Sequence, residues 1–198
     1  MNATGTSTVR LTPEEYLTRE RLAESKSEYV DGVVYAMAGG SPRHAVIQGN
    51  ISSLVWISVR HGHCQMFSSD MKIWAQAANS YFYPDVSVVC GTPRYSDGVH
   101  QDAVENPKLT LEVLSPSTER FDRTRKFMMY RSIPSLEQYV LVAQDEPRVE
   151  VFTRDPRGFW VFTDYADLEA IADFSAIVVQ VPLAAIYERI EFEELPVR

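Results

Sequence analysis

The sequence predicts an α/β fold built on a mixed sheet flanked by helices. Three observations carry this. Helical and β-rich segments interleave along the whole chain. Hairpin signatures outnumber strand–helix–strand units, so the sheet is mixed rather than doubly wound and parallel. Short apolar runs such as Leu109–Leu114 and Glu137–Ala143 read as buried strands.

The first ten residues are small and polar and read as a mobile tail, leaving 11–198 as one domain. Thr12-Pro13-Glu14-Glu15 is a helix start: Thr12 caps, Pro13 takes the first helical position and Glu15 closes a capping box. That helix runs to about residue 25 and offers Tyr16, Leu17 and Leu22 to the core. Asp31-Gly32 between Glu28-Tyr29-Val30 and Val33–Met37 is a tight hairpin turn. A second helix spans about 44–59, with Ile47, Ile51, Leu54 and Val55 on its apolar face and Val46, Trp56 and Ile57 widening it. Strand-like segments follow at 65–74 and 83–90, then a long loop at 91–107 and a strand at 108–114. Ser115-Pro116-Ser117-Thr118 caps a helix over about 119–131, which stops before Pro134. A strand at 137–143, a hairpin of 148–153 and 159–165, a strand at 177–181 and a short helix near 183–190 complete the chain.

Composition narrows the function classes. The 198 residues carry 19 basic and 27 acidic side chains, for a net charge of −8. That balance argues against a histone-like coating protein, although total charge is not the field at a cleft. One stretch reverses the sign: residues 120–131 hold Arg120, Arg123, Arg125, Lys126 and Arg131 against Asp122 alone. No apolar run approaches the length of a membrane span, about 18 residues, and the first residues lack a signal-peptide pattern. Cys64 and Cys90 form no disulfide framework and read as two reduced thiols. The expectation is a cytoplasmic protein with no membrane partner. Zinc at His61-Gly62-His63-Cys64 is set aside, because the ligands crowd and lack a second cluster.

Three acids sit where charge is costly. Asp85 follows Tyr81–Pro84 and precedes Val86–Val89, Glu112 lies inside Leu109–Leu114, and Glu28 opens the first hairpin arm. An ionised acid in such a setting needs a partner or a metal. Two strand carboxylates converging near a basic side chain are what a divalent-metal phosphodiesterase requires. Lys126 is the candidate for that basic side chain, which would neutralise or orient the attacking species, and is one of four lysines in the chain. Asp122, Lys126 and Tyr130 share one helical face at i, i+4, i+8, and their helix begins shortly after Glu112. Asp70 and Lys72 are candidates to support the site. His44 follows Arg43 at a helix start, where it reads as a phosphate contact or as a locally satisfied imidazole.

These pieces, in this order, resemble the Uma2 (DUF820-type) family within the PD-(D/E)XK, restriction-endonuclease-like nuclease superfamily. The residues that carry the resemblance are Glu28–Gly32, Pro42-Arg43-His44, Tyr83–Val89, Leu111–Thr118 and Asp122 through Lys126 to Tyr130. It implies a restriction-endonuclease-like core with added hairpins. It implies that Asp85 and Glu112 ligate Mg²⁺ or Mn²⁺ together with the main-chain carbonyl of Val113, and that Glu28 supports them. The superfamily's lysine, two residues after the second acid, is replaced by Leu114; Lys126 matches the families in which the following helix supplies it. The function so implied is metal-dependent hydrolysis of DNA phosphodiester bonds, with Arg120, Arg123, Arg125 and His44 holding phosphates. The alternative is a weak or inactive nuclease-fold module that binds nucleic acid or a protein partner. The aromatic C-terminal third (Phe152, Phe159, Trp160, Phe162, Tyr165, Phe174) adds the expectation of a homodimer.

Overall fold

The structure, a computed structural model, describes residues 10–192; the expected tail lies outside it except for Arg10. The strands form two larger sheets and a separate hairpin. Helix α1 (Pro13–Glu20) opens the chain, and its capping box is complete: Thr12 N–H donates to Glu15 Oε2 at 2.8 Å and Glu15 N–H to Thr12 Oγ1 at 3.2 Å. Tyr16 and Leu17 are buried, but the helix ends at Glu20, so Leu22 falls beyond it and is 84% exposed. Strands β1 (Ser27–Val30) and β2 (Val33–Ala36) pair through the Asp31-Gly32 turn, where φ is +43° and +91°.

Helix α2 (Pro42–Val59) buries Ile47, Ile51, Val55 and Val59 in a single stripe. The wider apolar face expected of it is not used: Trp56 and Ile57 are 49% and 57% exposed, and Val46 is exposed with them. A helix laid on a sheet covers one stripe, and the Arg60 guanidinium lies 5.2 Å from the Trp56 ring in place of the core.

Of two segments expected as continuous strands, one is divided between the sheets and the other is strand only in its second part. Residues 65–74 break at a turn after Ser68, giving β3 (Cys64–Ser68) and β4 (Lys72–Ala75). Residues around 83–90 follow β5 (Ser80–Phe82) and begin again as β6 (Val86–Cys90) after Pro84-Asp85. Asp85 thus occupies the corner where the chain passes from one sheet to the other. The 91–107 loop contributes a two-residue strand, β7 (Ala103–Val104). One sheet has the order β2-β1-β5-β4-β7.

The other sheet adds β8 (Leu109–Val113), β9 (Gln138–Val142), β10 (Arg148–Arg154) and β11 (Trp160–Ala166), in the order β11-β10-β9-β8-β6-β3. Strands β8 and β9 are parallel neighbours, which demands a crossover. Helix α3 (119–130) is that crossover. The C-terminal segment folds as a hairpin of β12 (Ile171–Phe174), which the sequence reading missed, and β13 (Val179–Pro182), then a short α4 (Leu183–Ile186). One face of the six-stranded sheet, with Val86, Val88, Leu109, Leu111 and Val140, packs against α2, the C-terminal hairpin and α4. The opposite face, with Val89, Tyr139 and Leu141, packs against α3 and the first sheet through Tyr130, Phe82 and Ile73.

The reading of the cysteines is corrected. Cys64 and Cys90 are register partners in the β3–β6 ladder and form a disulfide; pairing across strands is invisible to sequence spacing, and the cysteines no longer argue for a reducing compartment. His63 joins them in a group whose ligand atoms lie within 4.8 Å of one another, but the disulfide occupies both sulfurs. Of the C-terminal aromatics, Phe174 is buried, Phe152, Trp160 and Tyr165 pack against the cores, and Phe159 and Phe162 remain exposed.

The α2 stripe is directly testable. Ile51→Ala should lower the unfolding free energy by about 2–5 kcal/mol, whereas Trp56→Ala should change it by roughly 0.5 kcal/mol or less, both read from urea unfolding.

Candidate active site

The parallel pair β8–β9 fixes where α3 lies, and strand alternation fixes what it meets. On β8, Leu109, Leu111 and Val113 face α2's core, so Thr110, Glu112 and Leu114 face α3. Ser115 starts the crossover: its carbonyl accepts from Glu119 N–H at 2.8 Å and its hydroxyl from Thr118 N–H at 3.3 Å. The helix then runs α-helically over Glu119–Phe121, widens into a π-helical turn over Asp122–Lys126, and closes as α-helix over Phe127–Tyr130. Such turns gather at functional sites. Asp122, Lys126 and Tyr130 all face inward and are buried, as their spacing predicts.

Lys126 is the centre of the cluster. Its Nζ lies 2.9 Å from Glu112 Oε1, 2.9 Å from Glu28 Oε1 and 3.6 Å from Asp122 Oδ1. Glu28 comes from the first sheet, where Tyr29 turns into the core and Glu28 turns the other way. Tyr83 N–H also donates to Glu28 Oε1 at 3.4 Å. Tyr130 donates to Glu112 Oε1 at 3.1 Å and Tyr139 to the Asp122 carbonyl at 3.1 Å. The Phe82 ring lies 5.4 Å from the ammonium.

Asp85 stands beside this group at the end of β8. Its Oδ2 accepts from Val113 N–H at 2.7 Å and lies 3.4 Å from His44 Nε2. The Val113 backbone borders the His44 ring. The bond to Asp85 holds the imidazole above its ordinary value although burial pulls the other way.

The electrostatics follow from one ammonium among several carboxylates. Burial pushes the Glu112 carboxyl well above the usual carboxylate range; Lys126 opposes this, while Asp122, Asp85 and Glu28 reinforce it. Burial also works against the Lys126 charge, but Glu112, Glu28 and Asp122 overcome it, so the ammonium keeps its proton far into the basic range. Desolvation, with Glu112 nearby, raises both Tyr130 and Tyr139, which remain donors. Three carboxylates on Lys126, with Asp85 beside them, outnumber the ammonium. With a main-chain carbonyl adjacent, this is a hard-oxygen donor set that suits a divalent cation.

Other predicted residues lie elsewhere. Arg123 is held by Glu119 and by Glu150 at 3.0 Å, whereas Arg120 and Arg125 are exposed and, among the described residues, pair with no carboxylate. Asp70 pairs with Lys26 at 2.5 Å and Lys72 with Asp102 at 3.3 Å, neither of them with the carboxylate cluster. Asp122, Tyr130 and Tyr139 belong to the site but were given no role from sequence. For the first two the signal was present, in the helical face they share with Lys126.

The sequence profile of the family described as "Uma2: Putative restriction endonuclease" matches residues 13–184. A protein of Synechocystis sp. (strain ATCC 27184 / PCC 6803 / Kazusa) named "Uncharacterized protein sll1609" is 39% identical over 165 residues, covering 83% of this chain and 93% of its own. A second protein of that organism, "Uncharacterized protein slr1290", is 36% identical over 183 residues, covering 92% and 94%. The fold is similar to that of a crystal structure from Anabaena variabilis ATCC 29413, described as a putative nuclease belonging to DUF820. The TM-score is 0.73 at 19% identity, over 89% of this chain and 97% of that one. No helix among the described residues is long and apolar enough to cross a membrane.

Removing the central charge should be costly in a pH-dependent way. Lys126→Ala strands buried carboxylates and should destabilise the fold by about 3–5 kcal/mol at neutral pH. Because the Glu112 carboxyl is raised in the folded state, the folded chain takes up protons before the unfolded one. Stability of the variant should therefore recover as pH falls toward the ordinary glutamate range, about 4.3, as measured by thermal unfolding across pH.

Proposed function

The chain belongs to the Uma2 family, and on that premise we propose that it is a metal-dependent nuclease that hydrolyses DNA phosphodiester bonds. The observation that carries the reading is the convergence of Glu28, Glu112 and Asp122 on Lys126 beside Asp85. Asp85, Glu112 and the Val113 carbonyl are the groups that would hold Mg²⁺ or Mn²⁺. Such an ion supplies Lewis-acid polarisation of the phosphate and a more acidic water.

The chain's own residues do the rest. Lys126 presents a permanent positive charge where negative charge grows on the phosphate. Glu28 and Asp122 keep that ammonium in place, and Tyr130 fixes one oxygen of Glu112 by donating to it. Arg120 and Arg125, on the helix that carries Lys126, attract flanking phosphates in spite of the acidic whole. Arg123 is already engaged by two carboxylates and acts as a brace for the helix. The exposed Val161 and Phe162 of edge strand β11, with Phe159 just before it, give a two-fold dimer an apolar surface to bury, and such a dimer presents two sites to one duplex.

The test is DNA cleavage with Mg²⁺ or Mn²⁺. Asp85→Ala and Glu112→Ala should each lower the rate by about 10²–10³-fold, as several kcal/mol of lost transition-state stabilisation requires, with the far-ultraviolet circular dichroism unchanged. Cleavage that survives both substitutions removes the site assignment. Saturable metal binding by the wild-type chain without turnover of duplex, single-stranded or branched DNA favours the binding-module reading, for which Leu114 in the usual lysine position is the specific support.

A further inference from the structure

His44 is a titratable group at this end of β8 to which the proposed chemistry gives no task. It occupies the third position of α2, behind the Ser41 cap, whose hydroxyl accepts the His44 N–H at 3.0 Å. The start of that helix is anchored where β8 and β9 end. Ser41 Oγ donates to Gln144 Oε1 at 2.7 Å, Arg43 donates to the Gln144 carbonyl at 3.3 Å, and Gln144 Nε2 donates in turn to the Leu114 carbonyl. The imidazole is therefore placed by the same strand end that carries Glu112 and Val113.

Two details define what the ring does there. First, its Nε2 lies 3.4 Å from Asp85 Oδ2, and the Val113 backbone borders the ring. Both belong to groups that the two-carboxylate reading gives to the cation. Its side chain is 16% exposed, turned toward those groups rather than outward to a phosphate backbone. Second, the other side of the ring is made by a missing side chain: a Cβ on Gly40 would lie 2.9 Å from Nδ1 and 3.1 Å from Cγ of His44. Residue 40 must lack a side chain for the imidazole to sit where it does.

We propose that His44 is a metal ligand, its Nε2 joining Asp85, Glu112 and the Val113 carbonyl in holding one divalent cation, and that the site accordingly favours a first-row transition ion such as Mn²⁺ over Mg²⁺. The inference rests on the metal-dependent reading above and adds a nitrogen donor to it. Mg²⁺ keeps oxygen ligands and water, whereas imidazole suits transition ions. Such ligation requires the neutral imidazole with Nε2 free of a proton. Gly40 is a positioning residue, acting through the ring.

The experiment uses the full chain without nucleic acid and Mn²⁺ as the probe. Electron paramagnetic resonance of free Mn²⁺ gives the affinity, and electron spin echo modulation reports any directly bound nitrogen. The expected result is one saturable site with a ¹⁴N coupling that converts to ¹⁵N when the histidines are labelled, which needs no variant. His44→Ala should abolish the coupling and weaken Mn²⁺ by about 10–100-fold, the size seen when a ligand's support is lost, with a smaller change for Mg²⁺. Gly40→Ala should weaken Mn²⁺ in the same direction while thermal unfolding stays near wild type. Mn²⁺ binding without nitrogen coupling, unchanged by His44→Ala, overturns this proposal and leaves the two-carboxylate site standing. Absence of saturable Mn²⁺ binding in the folded wild type overturns both.

Discussion

The architecture turns on keeping one ammonium charged in the interior. A lysine removed from water is tolerable only when carboxylates surround it closely. Here they arrive from three directions: Glu28 from the first sheet, Glu112 from the second, and Asp122 from the lysine's own helix. The relative placement of the two sheets, the depth of α3 and the charge of the site are therefore a single constraint. The surrounding Phe82, Tyr130 and Tyr139 keep the dielectric low, which strengthens the attraction and raises the penalty for any one partner that is missing.

Topology explains why the lysine can come from a helix. Parallel strands cannot be joined by a turn, so β8 and β9 need a crossover, and a crossover helix must lie on a face of the sheet it spans. That face carries Glu112 by simple alternation. A lysine on the inward side of α3 thus meets the strand's acid without occupying the strand. Position 114 is then free to be leucine, which joins the core beside Ile133 and Leu136.

Much of this was legible because it is local. The Thr12 cap, the Asp31-Gly32 turn and the inward face of Asp122, Lys126 and Tyr130 each depend on residues within a turn or two of one another, and the structure reproduces them. The acids stood out because charge inside an apolar run is costly. What could not be read is non-local. The run at 65–74 looks continuous, yet it is divided because its halves pair with different sheets, and the run at 83–90 becomes strand only from Val86. Whether Cys64 meets Cys90 depends on register, and so does the contact of His44 with Asp85. Trp56 and Ile57 have the composition of core residues, but among the described residues no second layer covers that side of α2. The hairpin strand Ile171–Phe174 was hidden because its buried positions are Ala172 and Phe174, while Ile171 and Asp173 face outward.

The π-helical turn at Asp122–Lys126 carries a consequence for how this segment can vary. A wide turn amounts to one extra residue accommodated within an otherwise regular helix, and each residue of an α-helix advances the chain by about 100° around the axis. Deleting any one position there would restore a regular helix and swing everything on one side of the deletion by that angle. Either Lys126 would leave its carboxylates or Tyr130 would leave Glu112. The length of this stretch is as tightly fixed as its composition, so lineages that retain the site should tolerate exchanges on its outer surface yet accept no gap within it.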